Sequence, residues 1–194
     1  MAGHAPATPQ SLAYTPVTPY CLVDTCVAVG ALSARSGRNY AASDNTRIGQ
    51  AGGNPADCNI PVGPEALALT LTAVLPPQVG NLIAYPAGGA VPLASALNFL
   101  GGQIIANTTV VAITPGCCAG DNFAVFNNSD GMTPVVVDVV GYFWEYASAD
   151  CNKTSQSLSV GAGGTIDVPA TCPSKDGERL IIRRHGGRRI TLTT

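Results

Sequence analysis

The chain has 194 residues, of which 46% are hydrophobic and only 11% charged, and its formal net charge is −2. This hydrophobic content excludes an intrinsically disordered chain, and the length suits a single domain with extensions. No run of about 18 apolar residues occurs, so the sequence predicts no membrane span.

Charge is distributed unevenly along the chain. Residues 1–150 carry three arginines and nine acidic residues, whereas residues 151–194 carry seven basic and three acidic residues. An acidic body with a basic tail could dock head to tail onto a copy of itself.

The first twenty residues lack the basic and apolar regions of a signal peptide, while seven cysteines favour an oxidising destination. Together these features favour a particle that is assembled inside a cell and then released.

The first segment, residues 1–19, contains four prolines among threonine and alanine. Proline favours extended backbone. We therefore expect an extended N-terminal arm that lies on a surface, with a loose terminus as the alternative.

Residues 20–146 are expected to form the body. Leu67, Leu69 and Leu71 alternate with alanine and threonine within residues 65–74, the period of a half-buried strand. Turn signals separate further predicted strands at 80–86, 93–99, 106–113, 121–128 and 134–144. This spacing predicts an all-β fold, an antiparallel β-sandwich of jelly-roll-like or immunoglobulin-like type.

Residues 147–194 are expected to form a C-terminal β extension of two hairpins. One turns at residues 161–164 and the other, a basic hairpin, turns at Gly186 and Gly187. Two hairpins are too small to fold alone, so we expect them to pack on the body or on a neighbouring chain.

Several motifs follow one another in a recognisable order. They are LVDT (22–25), ADCNIPVGPEALALTLTAV (56–74), GNLIAYPAGGAVPLASALNF (80–99), AN (106–107) and VVVDVVGYF (135–143). The set resembles a poorly characterised β-rich module of secreted and surface proteins of bacteria and of some phage particles, over about residues 20–144. The resemblance implies an all-β extracellular or particle-surface module and no known reaction. Basic residues are common in that module where Cys21 and Cys26 stand, so the resemblance does not carry over an ion pair with Asp24 or Asp138.

Catalytic motifs are missing from the sequence. The two histidines, His4 and His185, lie in the predicted arm and beside a hairpin turn, and neither G-x-S-x-G nor H-E-x-x-H occurs. A cysteine nucleophile needs a base within hydrogen-bond reach. We therefore predict a protein that is not an enzyme.

Metal motifs are equally weak, and we predict no cofactor. Cys21 and Cys26 are five positions apart and Cys117 and Cys118 are adjacent, which is not the C-x2-C spacing of zinc sites. The segment FNNSDG (126–131) is rich in oxygen ligands but lacks the first acid and the distant glutamate of a calcium loop. An Asn/Asp-rich turn is the preferred interpretation of that segment.

The seven cysteines form an odd set, so at least one is unpaired within the chain or paired between chains. On one unbroken strand Cys21 and Cys26 would face opposite sides, which prevents a bond between them unless the chain turns at Asp24 and Thr25. Either could then bond another loop or another subunit. Buried reduced thiols are the alternative. The intrachain candidates are Cys151 with Cys172, and Cys58 with Cys117 or Cys118.

Asp138 is the one acid inside an apolar predicted strand. By simple alternation it shares a face with Val136, Val140 and Tyr142. A buried carboxylate needs a partner, for which the candidates are Arg38, Arg47 and backbone amides. We predict a buried structural acid that sets the strand register, and a catalytic carboxylate is the alternative.

The segment RRHGGRR (183–189) is the strongest charge feature. On a hairpin its first and last arginines face each other across the strands. The interpretations are a subunit or particle contact, a solvated turn, or a site for a polyanion such as nucleic acid. Nucleic acid is disfavoured because no aromatic residue follows Tyr146. The contact candidates are Arg183, Arg184, Arg188 and Arg189.

The sequence thus favours a non-enzymatic structural protein that self-assembles on an extracellular particle. A phage virion decoration or tail protein and a filament subunit both fit, with exchange of arms or strands completing sheet edges and disulfides locking the contact. The expected partners are copies of itself or other particle proteins. The alternative is a secreted cell-surface adhesion or glycan-binding β-sandwich module.

Overall fold

A computed structural model of the chain describes residues 11–56, 60, 63–114, 120–148, 165–167, 180–183 and 189–192. The chain divides into two compact units. One is Tyr14–Phe143, and the other combines Met1–Ala13 with Trp144–Thr194.

One short helix and eleven strands are found within the described residues. The helix, α1, is Asn45–Gln50. The strands are β1 Ser11–Asp24, β2 Ser36–Tyr40, β3 Ala66–Val74, β4 Gly80–Pro86, β5 Leu97–Phe99, β6 Ile104–Ala112, β7 Phe123–Asn127, β8 Val135–Ser148, β9 Thr165–Asp167, β10 Leu180–Arg183 and β11 Arg189–Leu192.

The larger unit is a sandwich of two mostly antiparallel sheets, which confirms the predicted all-β sandwich. One sheet has the strand order β1-β8-β3-β6 and the other has the order β2-β7-β4-β5. The core lies between them because alternate residues of each strand face inward. On β3 these residues include Leu67, Leu69 and Leu71, all fully buried as their alternation predicts, and Phe123 and Val125 of β7 are equally buried.

A β-bulge in β8 changes the predicted faces of that strand. Leu69 pairs with Val139 but Ala68 pairs with Gly141, so one extra residue lies between them. Simple alternation put Tyr142 on the same face as Asp138. The bulge instead brings Tyr142 opposite Leu67, where it packs against the core.

The end of β1 is held by the loop that follows α1. Asp24 N donates to Ala51 O at 3.0 Å and Asn54 N donates to Cys21 O at 2.9 Å. Gly53 lies so close to the backbone of Leu22 that a Cβ atom could not be accommodated there. Glycine is therefore required for this loop to cover the outer side of β1.

The predicted segment boundaries fall inside strands. Residues 11–19 of the predicted arm belong to β1, and residues 1–10 lie outside the described residues. At the other end, β8 runs through the predicted boundary at residue 146. β1 extends back into the proline-rich segment because it pairs with β8. The sequence of the predicted arm does not reveal this pairing, and an edge strand tolerates proline.

The smaller unit contains β9, β10 and β11. β9 pairs in parallel with Tyr146–Ser148 of β8, and the partner predicted for it in the first hairpin lies outside the described residues. β10 and β11 pair antiparallel, with Arg183 opposite Arg189 as predicted, and the predicted turn at Gly186 and Gly187 lies outside the described residues. Arg184 and Arg188 lie outside the described residues.

Candidate functional site

The last strand of the first sheet has one open side. β6 pairs with β3 along all nine of its residues, from Ile104 opposite Val74 to Ala112 opposite Ala66. Among the described residues, no backbone hydrogen bond joins the other side of β6 to a further element. Alternate residues of an antiparallel strand direct N–H and C=O groups outward. We call this open side of Ile104–Ala112 the β6 edge.

The composition of β6 leaves this edge unprotected. Its sequence, IIANTTVVA, contains no charged residue and no proline. Ile104 is 67% exposed and Val110 is 58% exposed. Natural proteins usually blunt such an edge with charges, proline or a covering segment, because an open edge accepts strands from other molecules.

The remaining edges of the two sheets are protected. β1 carries Pro16 and Pro19, which cannot donate hydrogen bonds, and its last residues are covered by the loop after α1. β2 has five residues and contains Arg38, and β5 has only three residues. Within the part of the chain that the structure describes, β6 is therefore the long, unblocked edge.

The outward-facing side chains of β3 and β6 are uncharged. Thr70 of β3 and Thr108 of β6 are hydrogen-bonded through their side-chain hydroxyls, with the two oxygens 2.9 Å apart. Ala68 opposes Val110 and Ala66 opposes Ala112. Small uncharged side chains on this face present neither bulk nor repulsion to an approaching strand.

Exposed apolar side chains also gather where β6 begins. Leu75 N donates to Gln103 O and Gly102 N donates to Pro76 O, each at 2.7 Å, so the β3–β4 and β5–β6 loops lie together. The backbone of Leu75 adopts a positive φ of 46°, a strained conformation for a leucine. The exposed residues of this apolar loop cluster are Leu75, Val79 and Leu100.

Cys21 and Asp138 form a second feature, on neighbouring strands β1 and β8. The Cys21 thiol donates to Val23 O at 3.2 Å, and the Asp138 carboxylate lies close enough to influence its pKa. Burial raises the pKa of the Cys21 thiol to about 11, and the charges of Asp138 and Asp24 act in the same direction. Burial also raises the pKa of Asp138, although the hydrogen bond with Cys21 opposes that shift.

The environment of Asp138 differs from the predicted one. The side chain is only partly buried, because it lies on the outward face of β8 while Val137 and Val139 occupy the core. The predicted arginine partners are engaged elsewhere. Arg38 donates to Gly30 O at 2.9 Å, and Arg47 forms an ion pair with Asp121.

Neither described cysteine forms a disulfide. Cys21 is partly buried and Cys26 is exposed. The chain does turn between them, since Val27 N and Ala28 N both donate to Asp24 O. Burial, followed by the charge of Asp24, raises the pKa of the Cys26 thiol. The other disulfide candidates, Cys58, Cys117, Cys118, Cys151 and Cys172, lie outside the described residues.

Changing Asp138 to asparagine is expected to make Cys21 more reactive. A thiol with a raised pKa holds its proton, so little thiolate forms below about pH 9. Removing the Asp138 charge lowers the pKa of Cys21 and increases the thiolate fraction. The rate of iodoacetamide labelling between pH 8 and 10, followed residue by residue with mass spectrometry, measures this change.

Cys26 in the same molecules is the internal control for that measurement. It lies after the turn and its pKa is not governed by Asp138, so its labelling rate should be the same in both proteins. An unchanged Cys21 rate in the Asp138→Asn protein would show that burial alone suppresses this thiol.

The Asn/Asp-rich segment 126–131 is a hydrogen-bonded turn. Asn127 is fully buried and its Nδ2 donates to Leu32 O, Ser33 O and Gly131 O at 3.2, 3.1 and 2.8 Å. Its Oδ1 accepts from Ser129 Oγ at 2.8 Å and from Thr133 Oγ1 at 3.0 Å. The described residues contain no group of three His, Cys, Asp or Glu side chains arranged to hold a metal ion.

The β6 edge was missed by sequence reasoning. The segment 106–113 was predicted as a strand, but its composition does not distinguish it from β3, which is also uncharged and free of proline. Among the strands that the structure describes, β3 is paired on both sides and β6 on one. The absence of charge and proline identifies an unprotected edge strand only once the strand order is known.

Comparison of the chain with protein-family models, with curated proteins and with solved structures finds no match. Among the described residues, none of the helical segments has the length and apolar character needed to cross a membrane.

Proposed function

We propose that this protein is a non-enzymatic structural subunit that assembles with copies of itself on an extracellular particle. A phage virion decoration or tail protein and a filament subunit are the two forms of this proposal. The observation that carries it is the β6 edge, an uncharged strand of nine residues without proline that has no strand on one side within the described part of the chain.

Strand addition is the contact that such an edge makes. The outward N–H and C=O groups of β6 hydrogen-bond to water in the isolated molecule, and a strand from another molecule replaces that water with a regular ladder. The exposed side chains of Ile104 and Val110 then leave water, which adds a hydrophobic contribution. The apolar loop cluster at the same end adds a further surface suited to contact with protein.

The low charge of the whole chain favours association in the same way. Only 11% of its residues are charged and its net charge is −2, so copies repel one another weakly. The resemblance to modules of bacterial surfaces and phage particles supports an extracellular location. Exposed Cys26 is available for a disulfide that would lock a contact after assembly.

Glycan binding, the alternative function, has less support. Sugars bind to exposed aromatic faces, and Tyr14 is the exposed aromatic residue among those the structure describes. Its ring lies over Gly141, with its centroid 5.1 Å from that of Phe143. Tyr14 Oη donates to Val140 O at 3.0 Å, so the side chain is engaged with β8.

Changing Val110 to lysine is expected to abolish assembly without unfolding the protein. Val110 is exposed, and a lysine on an edge strand blocks strand addition because its ammonium group must lose hydration when another strand docks beside it. Analytical ultracentrifugation and electron microscopy of the full chain should show large assemblies for the unchanged protein and monomers for the variant. Circular dichroism checks that the variant keeps its β structure.

Val27→Lys is the matched control. Val27 is 75% exposed and lies in the turn after β1 rather than in a strand, and the change adds the same charge to the molecule. Assembly should persist in this variant. If Val110→Lys assembles as well as Val27→Lys does, the β6 edge is not the assembly contact and the proposal loses its support.

A further inference from the structure

We infer that the partner of β6 is β6 of a second copy, paired antiparallel about a two-fold axis that passes through Thr108. This inference rests on the proposed function and specifies the contact through which it begins. Two copies then form one continuous sheet, in which the strand order β1-β8-β3-β6 of one molecule is followed by the reverse order of the other.

The position of the axis follows from the length of the strand. Thr108 is the central residue of Ile104–Ala112. An antiparallel pair centred on it matches all nine residues of each copy and therefore all outward backbone groups. Moving the axis by one residue leaves two residues of each strand unmatched, and their outward backbone groups then form no hydrogen bonds with the partner strand.

The side chains agree with this register. Residues at equal distance from Thr108 lie opposite one another, so Ala106 meets Val110 on the outer face. On the inner face Asn107 meets Thr109, and both side chains are polar and neutral. Each pair of opposed side chains lies on the same face of the sheet, because the two residue numbers are both even or both odd.

The absence of charged residues from β6 makes β6 of a second copy a suitable partner. Identical strands paired about a two-fold axis bring like residues close together, which is destabilising wherever a charge is present. β6 contains none. By contrast, β2, an edge of the other sheet, carries Arg38 at its centre and would place two guanidinium groups beside each other.

The loop before β5 adds apolar surface beside the same edge. Asn107 Nδ2 donates to Ala96 O at 2.7 Å, which holds the end of this loop against β6. Leu93, three residues earlier, is fully exposed, and Val91 is also exposed. Leu93 and Val91 therefore add exposed apolar surface in a loop whose end is attached to β6.

Cysteine cross-linking tests the register directly. In the Thr108→Cys protein the two introduced cysteines face each other with Cα atoms about 5 Å apart, within the range of about 4.4–6.8 Å that a disulfide requires. Mild oxidation of the assembled full chain should give a dimer on non-reducing electrophoresis. Mass spectrometry should identify the bond between the two copies of residue 108.

Ala106→Cys is the matched control, since Ala106 lies two residues away on the same face. The two copies of residue 106 are about 14 Å apart along the paired strands, so this variant should not cross-link to itself. It should cross-link to Val110→Cys when the two proteins are mixed. The unchanged chain gives the background due to the natural cysteines.

The outcomes separate this inference from the proposed function. A 108–108 bond that exceeds the Ala106→Cys background supports the two-fold pairing. If Ala106→Cys cross-links to itself and Thr108→Cys does not, the register is wrong. If neither cross-links while Val110→Lys still abolishes assembly, β6 binds a different strand, and only the inference about the partner is overturned. If Val110→Lys is also harmless, both the inference and the proposed function fail.

Discussion

Replacing Phe123 with alanine should lower the free energy of unfolding by about 3–5 kcal/mol, the cost of removing a buried aromatic ring and leaving a cavity. Phe123 is the first residue of β7 and is fully buried between the sheets. Its ring centroid lies 5.7 Å from that of Tyr40 on β2. Because β7 is paired on both sides, by β2 and β4, the surrounding backbone has little freedom to close the cavity.

Phe126 supplies the matched control on the same strand. It lies on the opposite face of β7, is only partly buried, and covers Gly37 of β2. Phe126→Ala removes the same atoms but should lower the free energy of unfolding by less than about 2 kcal/mol, since part of the ring is already in water. Guanidinium unfolding of both variants measures the difference, and equal losses would contradict the assignment of the two faces.

Asn127→Asp should destabilise the fold by about 3 kcal/mol at neutral pH. The change keeps the size of the side chain but replaces the Nδ2 donor with an acceptor, so oxygen faces the carbonyls of Leu32, Ser33 and Gly131. Buried groups that lose their partners cost about 1–3 kcal/mol. The loops that Asn127 connects, before β2 and before β8, lose their attachment to each other.

The pH dependence of that variant provides a second measurement. A carboxyl group facing carbonyl oxygens has a raised pKa in the folded state, so the folded protein holds the proton more tightly than the unfolded chain. The variant should therefore be most stable at acidic pH, and the loss should grow as the pH rises through the pKa in the folded state.

Asn128 is the control for Asn127. It is partly buried, its Nδ2 lies 3.4 Å from Asn81 Oδ1 in a long hydrogen bond, and its Oδ1 accepts from the Arg35 guanidinium, an interaction that an aspartate retains. Asn128→Asp should change the free energy of unfolding by less than about 1 kcal/mol. Comparable losses at both positions would show that the buried network does not hold the turn.

The local pattern of the sequence predicted individual strands well. β4 has the bounds predicted for it, Gly80–Pro86, and β3 differs by one residue. Alternation on β3 also identified the face that enters the core. These features are local, because the two-residue period of a strand and the turn residues at its ends act within a few positions.

The observed strands differ from the predicted ones where pairing between residues distant in sequence decides the structure. The proline-rich segment before residue 20 was expected to be an arm, yet its second half is part of β1 beside β8. An edge strand tolerates proline, so the segment remains compatible with strand structure once a neighbour is present. The bulge in β8 likewise depends on the register with β3 and has no signal in the run VVVDVV.

The partner of Asp138 illustrates the same limit at the candidate site. The sequence offered arginines because opposite charges are the obvious partners of a carboxylate. Strand order instead places Cys21 beside it, while Arg47 is drawn to Asp121. In the sequence, Cys21 is five positions from Cys26, which suggested disulfide chemistry. That Cys21 lies near Asp138 follows only from the pairing of β1 with β8.

By itself, the sequence determined that this protein is an all-β sandwich with little charge, because composition and two-residue alternation act locally and survive any arrangement of the strands. Only the tertiary structure decided which of two like residues is buried: Phe123 rather than Phe126, and Asn127 rather than Asn128. It also decided which uncharged strand is open. β3 and β6 have the same character, and only the order of pairing, set by contacts between distant residues, places β6 at the edge of the sheet within the described residues.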